Sequence, residues 1–269
     1  MQKSTAKMSD STSGIHPTAV IDSKAELDSD VSVGAYSIIG AGVKIGKNST
    51  IGPHVVLEGP TTIGASNRIF QFSSIGEIPQ DKKYHGENSE LIIGDDNTIR
   101  EFVTINRGTE EDQGYTKIGN RNWIMAYVHI AHDCNVENDI TFANGTTLAG
   151  HVSVEDFAIL GGFTLVHQFC RVGMHSFTAM GTALNRDLPP YLMASGNYAS
   201  THGLNKEGLK RRNFSEDCIK ALHKSYKLLV RSKHSRDENL VEVAKLAEQF
   251  PEVKRFMEFV STSKRGITQ

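Results

Sequence analysis

The amino-acid sequence predicts a mainly β architecture: a prism of stacked parallel-strand coils, followed by a small α-helical C-terminal domain. Three observations carry that prediction. An aliphatic residue returns every six positions, glycine commonly follows it, and aromatic side chains make up only 7% of the chain. The aliphatic series runs Ile15, Ile21, Leu27, Val33, Ile39, Ile45, Ile51, Leu57, Ile63, Ile69, Ile75 and resumes at Ile93, Ile99 and Ile105. It restarts out of phase at Ile118 and continues through Ile124, Ile130, Val136, Phe142, Leu148, Val154, Leu160, Val166 and Val172. A helix would repeat about every 3.6 residues and a half-buried strand about every two, so neither fits. A short strand plus a tight turn does fit. Three such units close one triangular coil of about eighteen residues, and coils stack about 4.8 Å apart. The aliphatics point inward, and Gly or Asn is expected at turn positions that need a positive φ. Such a narrow prism has little room for rings.

Taken in order, residues 1–14 form a polar leader expected to be disordered. Residues 15–190 form the prism, interrupted by loops at 78–91 and 107–117, where functional residues are often carried. The repeat stops after Asp187-Leu188-Pro189-Pro190, and residues 191–269 make the helical domain. Within it, Ser215 suits a helix N-cap, Ser235 with Glu238 a capping box, and Pro251 the first turn of a last helix. Cys134 and Cys170 fall two coils apart, about 10 Å, which is beyond the roughly 7 Å that a disulfide spans. The 29 Lys and Arg against 31 Asp and Glu leave a net charge of −2, which argues against a general nucleic-acid or membrane-surface binder. No apolar run is long enough to span a bilayer, so no integral membrane contact is expected. Odd, unpaired cysteines and the lack of a signal sequence point to the cytoplasm.

Four histidines cluster in the second half: His129, His132, His151 and His167. In the coil frame His132 is third in its hexad, with Gly150 and Gln168 at the same place one and two coils on. His151 and His167 flank that column. Two chemistries remain open on the residues alone. Three neutral imidazoles could hold Zn²⁺ with an open position. Alternatively, one histidine could be a general base while the others bind substrate.

The hexads resemble those of the hexapeptide-repeat proteins, which implies a left-handed parallel β-helix. Longer words narrow the resemblance: His129-Ile130-Ala131-His132-Asp133-Cys134, Leu148-Ala149-Gly150-His151-Val152, Val166-His167-Gln168-Phe169, Gly208-Leu209-Lys210-Arg211-Arg212 and Gln80-Asp81-Lys82-Lys83-Tyr84. Over about residues 15–265 the chain resembles the acyl-carrier-protein–UDP-N-acetylglucosamine O-acyltransferases that begin lipid A biosynthesis. The resemblance implies transfer of an (R)-3-hydroxyacyl group from acyl carrier protein to the sugar 3-hydroxyl by a homotrimer, with no cofactor and no metal. It implies His132 as general base, Asp133 as its orienting carboxylate and Gly150 as the oxyanion N–H. It further implies substrate contacts from His129, His151, His167, Gln168, Asp81 and Lys83, and a nucleotide-binding group of Asn205, Glu207, Arg211 and Arg212. The basic segment 206–212 could also attract the acidic carrier protein.

Asn106 and Tyr198 depart from the family's words, where a histidine is common. Met180 stands where long-chain members carry glycine, so a medium-length acyl chain of about ten carbons is expected, each unburied methylene forfeiting about 0.8 kcal/mol. The rivals are the later N-acyltransferase of the pathway, which normally has an added N-terminal domain, a zinc hydratase, and a non-catalytic scaffold. The short polar leader disfavours the first. Measured zinc content would identify the second, and failure to bind UDP-sugar would favour the third.

Overall fold

The computed structural model describes residues 14–232 and 236–269. Nearly all of the expected leader, and Ser235 of the expected capping box, lie outside the described residues. The two-residue strands predicted by the hexads form three parallel sheets, the faces of a triangular prism. The first face has nine strands, from Val20–Ile21 to Ala183–Leu184. The second has eight, from Glu26–Leu27 to Arg171–Val172. The third has ten and begins at Ser32–Val33. The columns stack in the expected register, with Ile130 beside Leu148 and Leu148 beside Val166. Inward aliphatics such as Ile75, Ile105, Ile130 and Leu148 are fully buried, and each such burial contributes about 1.5–3 kcal/mol. Phe142 alone puts a ring in the hexad series, and it too is fully buried.

The glycines that follow the aliphatics have a different reason from the one expected. Gly46 and Gly94 do not have a positive φ; a Cβ at either would stand 2.7 Å from backbone of the next coil. Close approach of stacked coils therefore selects them. The left-handed positions are held largely by larger residues, among them Tyr36, Phe72, Tyr127, Asp133 and His151. Each such position is unfavourable by about 1–2 kcal/mol, and hydrogen bonds between coils hold it in place.

Both interruptions are real, but shorter than read. Strands Glu90–Ile93 and Tyr115–Ile118 take up their ends, leaving loops 78–89 and 107–114. Ile63 pairs with Ile93 and Ile93 with Ile118, so these two coils run 30 and 25 residues instead of eighteen.

The helical domain also begins later than 191. Leu192–Ser195 adds to the third face beside Phe177–Thr178, and Ser200–Leu204 folds back antiparallel on it. The alternating burial of Leu192–Ser195 lets this segment cover the open sheet edge after the hexads end. Helices then follow: α1 Lys206–Arg211, α2 Glu216–Tyr226 continuing into a π-helical turn Lys227–Arg231, α3 Arg236–Ala247 and α4 Pro251–Thr262. Ser215 caps α2 by accepting from the Cys218 amide, and Pro251 opens α4. Glu155, buried on the prism, ties α4 down through Arg255 at 2.8 Å, and Arg171 lies over the Phe259 ring. Cys134, Cys170 and Cys218 are buried free thiols, and burial pushes Cys134 up to about 12.

Candidate active site

Every coil turns three corners, and the corner between the first and second faces carries the polar chemistry. Loop 78–89 joins a first-face strand to a second-face strand, and loop 107–114 does the same one coil later. Both leave the prism at the corner where His132, Gly150 and Gln168 follow in the next coils. The loops are tied to each other by Lys83 with Glu111 at 3.1 Å and Arg107 with the Tyr84 hydroxyl at 3.3 Å.

His132 Nδ1 lies 2.7 Å from Asp133 Oδ2. An ionised carboxylate only accepts, so Nδ1 carries the hydrogen and Nε2 keeps the lone pair in the neutral ring. Asp133 is buried, and loop 107–114 closes on it: the Thr109 amide donates to Oδ1 at 2.8 Å and the Thr109 hydroxyl to Oδ2 at 2.7 Å. Burial pushes the Asp133 carboxyl up, but these bonds from His132 and Thr109 outweigh it and hold the group below its ordinary value. The Thr116 hydroxyl accepts the Asp133 amide at 2.8 Å, which steadies the left-handed backbone there.

Gly150 stacks directly on the His132 ring. A Cβ there would lie 2.6 Å from His132 Cε1 and 2.7 Å from Nε2, so only glycine leaves the imidazole its place. His151 meets His132 edge to face at 5.1 Å and stacks on Phe169 at 4.3 Å. Its Nδ1 lies 2.8 Å from Asp112 Oδ2. His129 Nδ1 lies 2.7 Å from the Thr104 hydroxyl, and burial, then His132, lowers its pKa. His167 and Gln168 are exposed one coil on. Asp81 accepts from the Lys83 amide at 3.0 Å within the first loop.

The remaining sequence-derived residues do not join this corner within one chain. Asn205 caps α1 by accepting from Gly208 and donates to the His175 carbonyl at 3.1 Å, at the corner between the second and third faces. Arg212 covers the Phe157 ring at 4.2 Å there, while Glu207 and Arg211 are exposed on α1. His175 beside them is pushed down to about 4 by burial and by Arg212. Met180 is 78% exposed at the third corner, between the third and first faces. Exposed Tyr198 follows Gly196 and Asn197, which pair with Ala183 just past that corner. Asn106 is buried and donates to the Ile78 carbonyl at 2.7 Å, fastening the base of the first loop.

Thr109 and Asp112 carry no signal in the sequence that ties them to this site. Their loop shows as a break in the hexads, but which of its residues reach the histidines depends on how it folds back. His132, Asp133 and His151 bring ligand atoms within 4.8 Å of one another, a spacing that could suit a metal. Asp133, however, already accepts three hydrogen bonds, and each histidine is bonded to a different carboxylate. The arrangement is that of two His–carboxylate dyads side by side.

Comparison with known proteins finds relatives over nearly the whole chain. A model of the second domain of the UDP-N-acetylglucosamine O-acyltransferases matches residues 187–268, and one of bacterial transferase hexapeptides (six repeats) matches residues 115–150. A curated acyl-carrier-protein–UDP-N-acetylglucosamine O-acyltransferase of Herminiimonas arsenicoxydans is 55% identical over 94% of this chain and 98% of its own. One from Thiobacillus denitrificans is 53% identical over 94% and 98%. The crystal structure of UDP-N-acetylglucosamine O-acyltransferase from Moraxella catarrhalis superposes with a TM-score of 0.93 at 46% identity, covering 95% of this chain and 99% of that one. The fold is the left-handed parallel β-helix with a short helical C-terminal region. No helix among the described residues is long and apolar enough to cross a membrane.

Proposed function

The chain belongs to the acyl-carrier-protein–UDP-N-acetylglucosamine O-acyltransferase family of lipid A biosynthesis, and we propose that within this activity His132 is the general base. The observation that carries the reading is the locked dyad. Thr109 holds Asp133, Asp133 holds His132 Nδ1–H, and Nε2 is left as a lone pair beside Gly150. His132 takes the proton from the sugar 3-hydroxyl as that oxygen attacks the thioester carbonyl of a 3-hydroxyacyl carrier protein. The tetrahedral oxyanion is met by the Gly150 N–H, which donates to no acceptor among the described residues. Collapse breaks the C–S bond, and His132 returns its proton to the leaving thiolate. The reaction needs no metal or redox cofactor. It takes place in the cytoplasm, a placement supported by the buried free thiols.

A homotrimer explains the scatter of the other residues. The group on α1 and Met180 stand at corners other than that of His132, so side-by-side packing of prisms brings corners of neighbouring chains together. The exposed rings along the third corner, Tyr36, Phe72, Phe102 and Tyr127, supply an apolar edge for that packing. His129, His151, His167, Gln168, Asp81 and Lys83 then face the sugar nucleotide or acyl group, and Arg211 and Arg212 the diphosphate.

The test is a transfer assay with UDP-N-acetylglucosamine and carrier proteins loaded with 3-hydroxyacyl chains of different length, alongside the native mass of the assembly. The expected result is O-acylated sugar nucleotide, a donor optimum at about ten carbons, and three chains per particle. Absence of transfer from every donor would defeat the proposed chemistry, and a monomer active at full rate would defeat the shared cleft.

A further inference from the structure

The second dyad has no part in the proton transfers above. His151 is enclosed from several sides: Phe169 stacks on it at 4.3 Å, His132 meets its edge at 5.1 Å, and Asp133 Oδ2 lies 3.9 Å from its Nε2. None of these decides which way round the imidazole sits. A half-turn about χ2 exchanges ring nitrogens with ring carbons and leaves the stacking on Phe169 intact, because that torsion has broad, roughly two-fold wells. Only a partner bonded at one nitrogen distinguishes the two orientations. That partner is Asp112, whose Oδ2 lies 2.8 Å from Nδ1.

We infer that Asp112 is a positioning residue for the transfer reaction, holding His151 in the one orientation and tautomer that keeps Nε2, rather than a ring carbon, on the side of the His132–Asp133 pair. The inference rests on the proposed acyl-transfer reading of this corner. An ionised carboxylate can only accept, so Asp112 places the hydrogen on Nδ1. In the neutral ring Nε2 is then an acceptor for a sugar hydroxyl, and a flipped ring would offer a C–H there instead. The loop that carries Asp112 is itself held. Thr109 is bonded to Asp133, and Glu111 is paired with Lys83 at 3.1 Å. Loop 107–114 thus sets both dyads at once, orienting His132 through Thr109 and Asp133 and orienting His151 through Asp112.

The test is a double-mutant cycle on the full-length enzyme, reading kcat and KM for UDP-N-acetylglucosamine at saturating acyl carrier protein. Asp112→Ala is expected to lower kcat/KM by roughly tenfold to a hundredfold, the scale of one charge-assisted hydrogen bond. Asp112→Asn, whose amide oxygen accepts the same bond, recovers most of the loss. In a His151→Ala background Asp112→Ala has no further effect, because its only route to the reaction has gone. Asp112→Ala within about twofold of wild type would overturn the inference, as would an equal loss in both backgrounds, which would mean a merely structural loop residue. A failure of the acyl-transfer reading is separate from this, since it would show as an inactive wild-type enzyme.

Discussion

The corner between the first and second faces and the corner between the third and first faces are built on one backbone and used for opposite purposes. At the first, Asp133, His151 and Phe169 occupy the left-handed turn position with φ of 58°, 62° and 63°. At the other, Tyr127, Gly145 and Phe163 occupy it with φ of 63°, 70° and 57°. The stacked coils impose that conformation whatever the side chain, so identity at the position is free to vary. At the third-to-first corner the freedom goes into a ladder of rings from Tyr36 through His54, Phe72 and Phe102 to Tyr127, with centroids 4.9–5.2 Å apart. At the first-to-second corner it goes into two dyads, and two loops emerge where the other corner stays tight. A solenoid of this kind supplies chemistry by choosing corner residues, without altering its core.

Substitutions at matched positions break that comparison most sharply. Gly150 and Gly162 are the same turn residue at the two corners. A Cβ at Gly150 strikes the His132 ring, whereas at Gly162 it meets the Asn144 carbonyl at 3.4 Å, an ordinary contact. Gly150→Ala should lower kcat by about a hundredfold or more, far beyond any effect of Gly162→Ala, with both proteins melting near the wild-type temperature. The next effect is at Thr109. Thr109→Val keeps the amide bond to Asp133 but removes the hydroxyl bond at 2.7 Å. Turnover should fall about tenfold, with little change in acceptor KM. Met180→Gly should move donor preference toward longer chains without changing the total rate for the best donor, read from a donor-length series. Equal use of fourteen-carbon donors by wild type and variant would remove Met180 as the ruler. The smallest effect is expected on the ladder. Phe72→Ala, which loses its stacks on both His54 and Phe102, should cost about 1–3 kcal/mol and lower Tm by a few degrees, leaving kcat unchanged.

The prism was legible because a six-residue aliphatic period admits few other folds, and the column through Ile130, Leu148 and Val166 followed from it directly. The stacking of His132 under Gly150 was legible for the same reason. Other features were hidden for identifiable causes. The first loop enlarges its coil by twelve residues, a multiple of six, so the aliphatics resume in phase and an eighteen-residue ruler cannot register that Ile63, not Ile75, lies beside Ile93. Positive φ is glycine's commonest use and is what the sequence suggests, whereas contact between coils selects Gly46 and Gly94. Leu192–Ser195 lies past the last hexad, where only the open sheet edge reveals it as a strand. Asp112 and Thr109 stand in a loop with no period of its own, so nothing in the sequence ties them to particular histidines.

The central claim is that chemistry belongs to the first-to-second corner and that His132 performs it. The most direct measurement is single-turnover acyl transfer by His132→Ala, with UDP-N-acetylglucosamine binding and assembly mass recorded on the same preparation. The account predicts a rate lower by about a hundredfold to ten-thousandfold, with binding and mass unchanged. A folded variant turning over within about tenfold of wild type would contradict it.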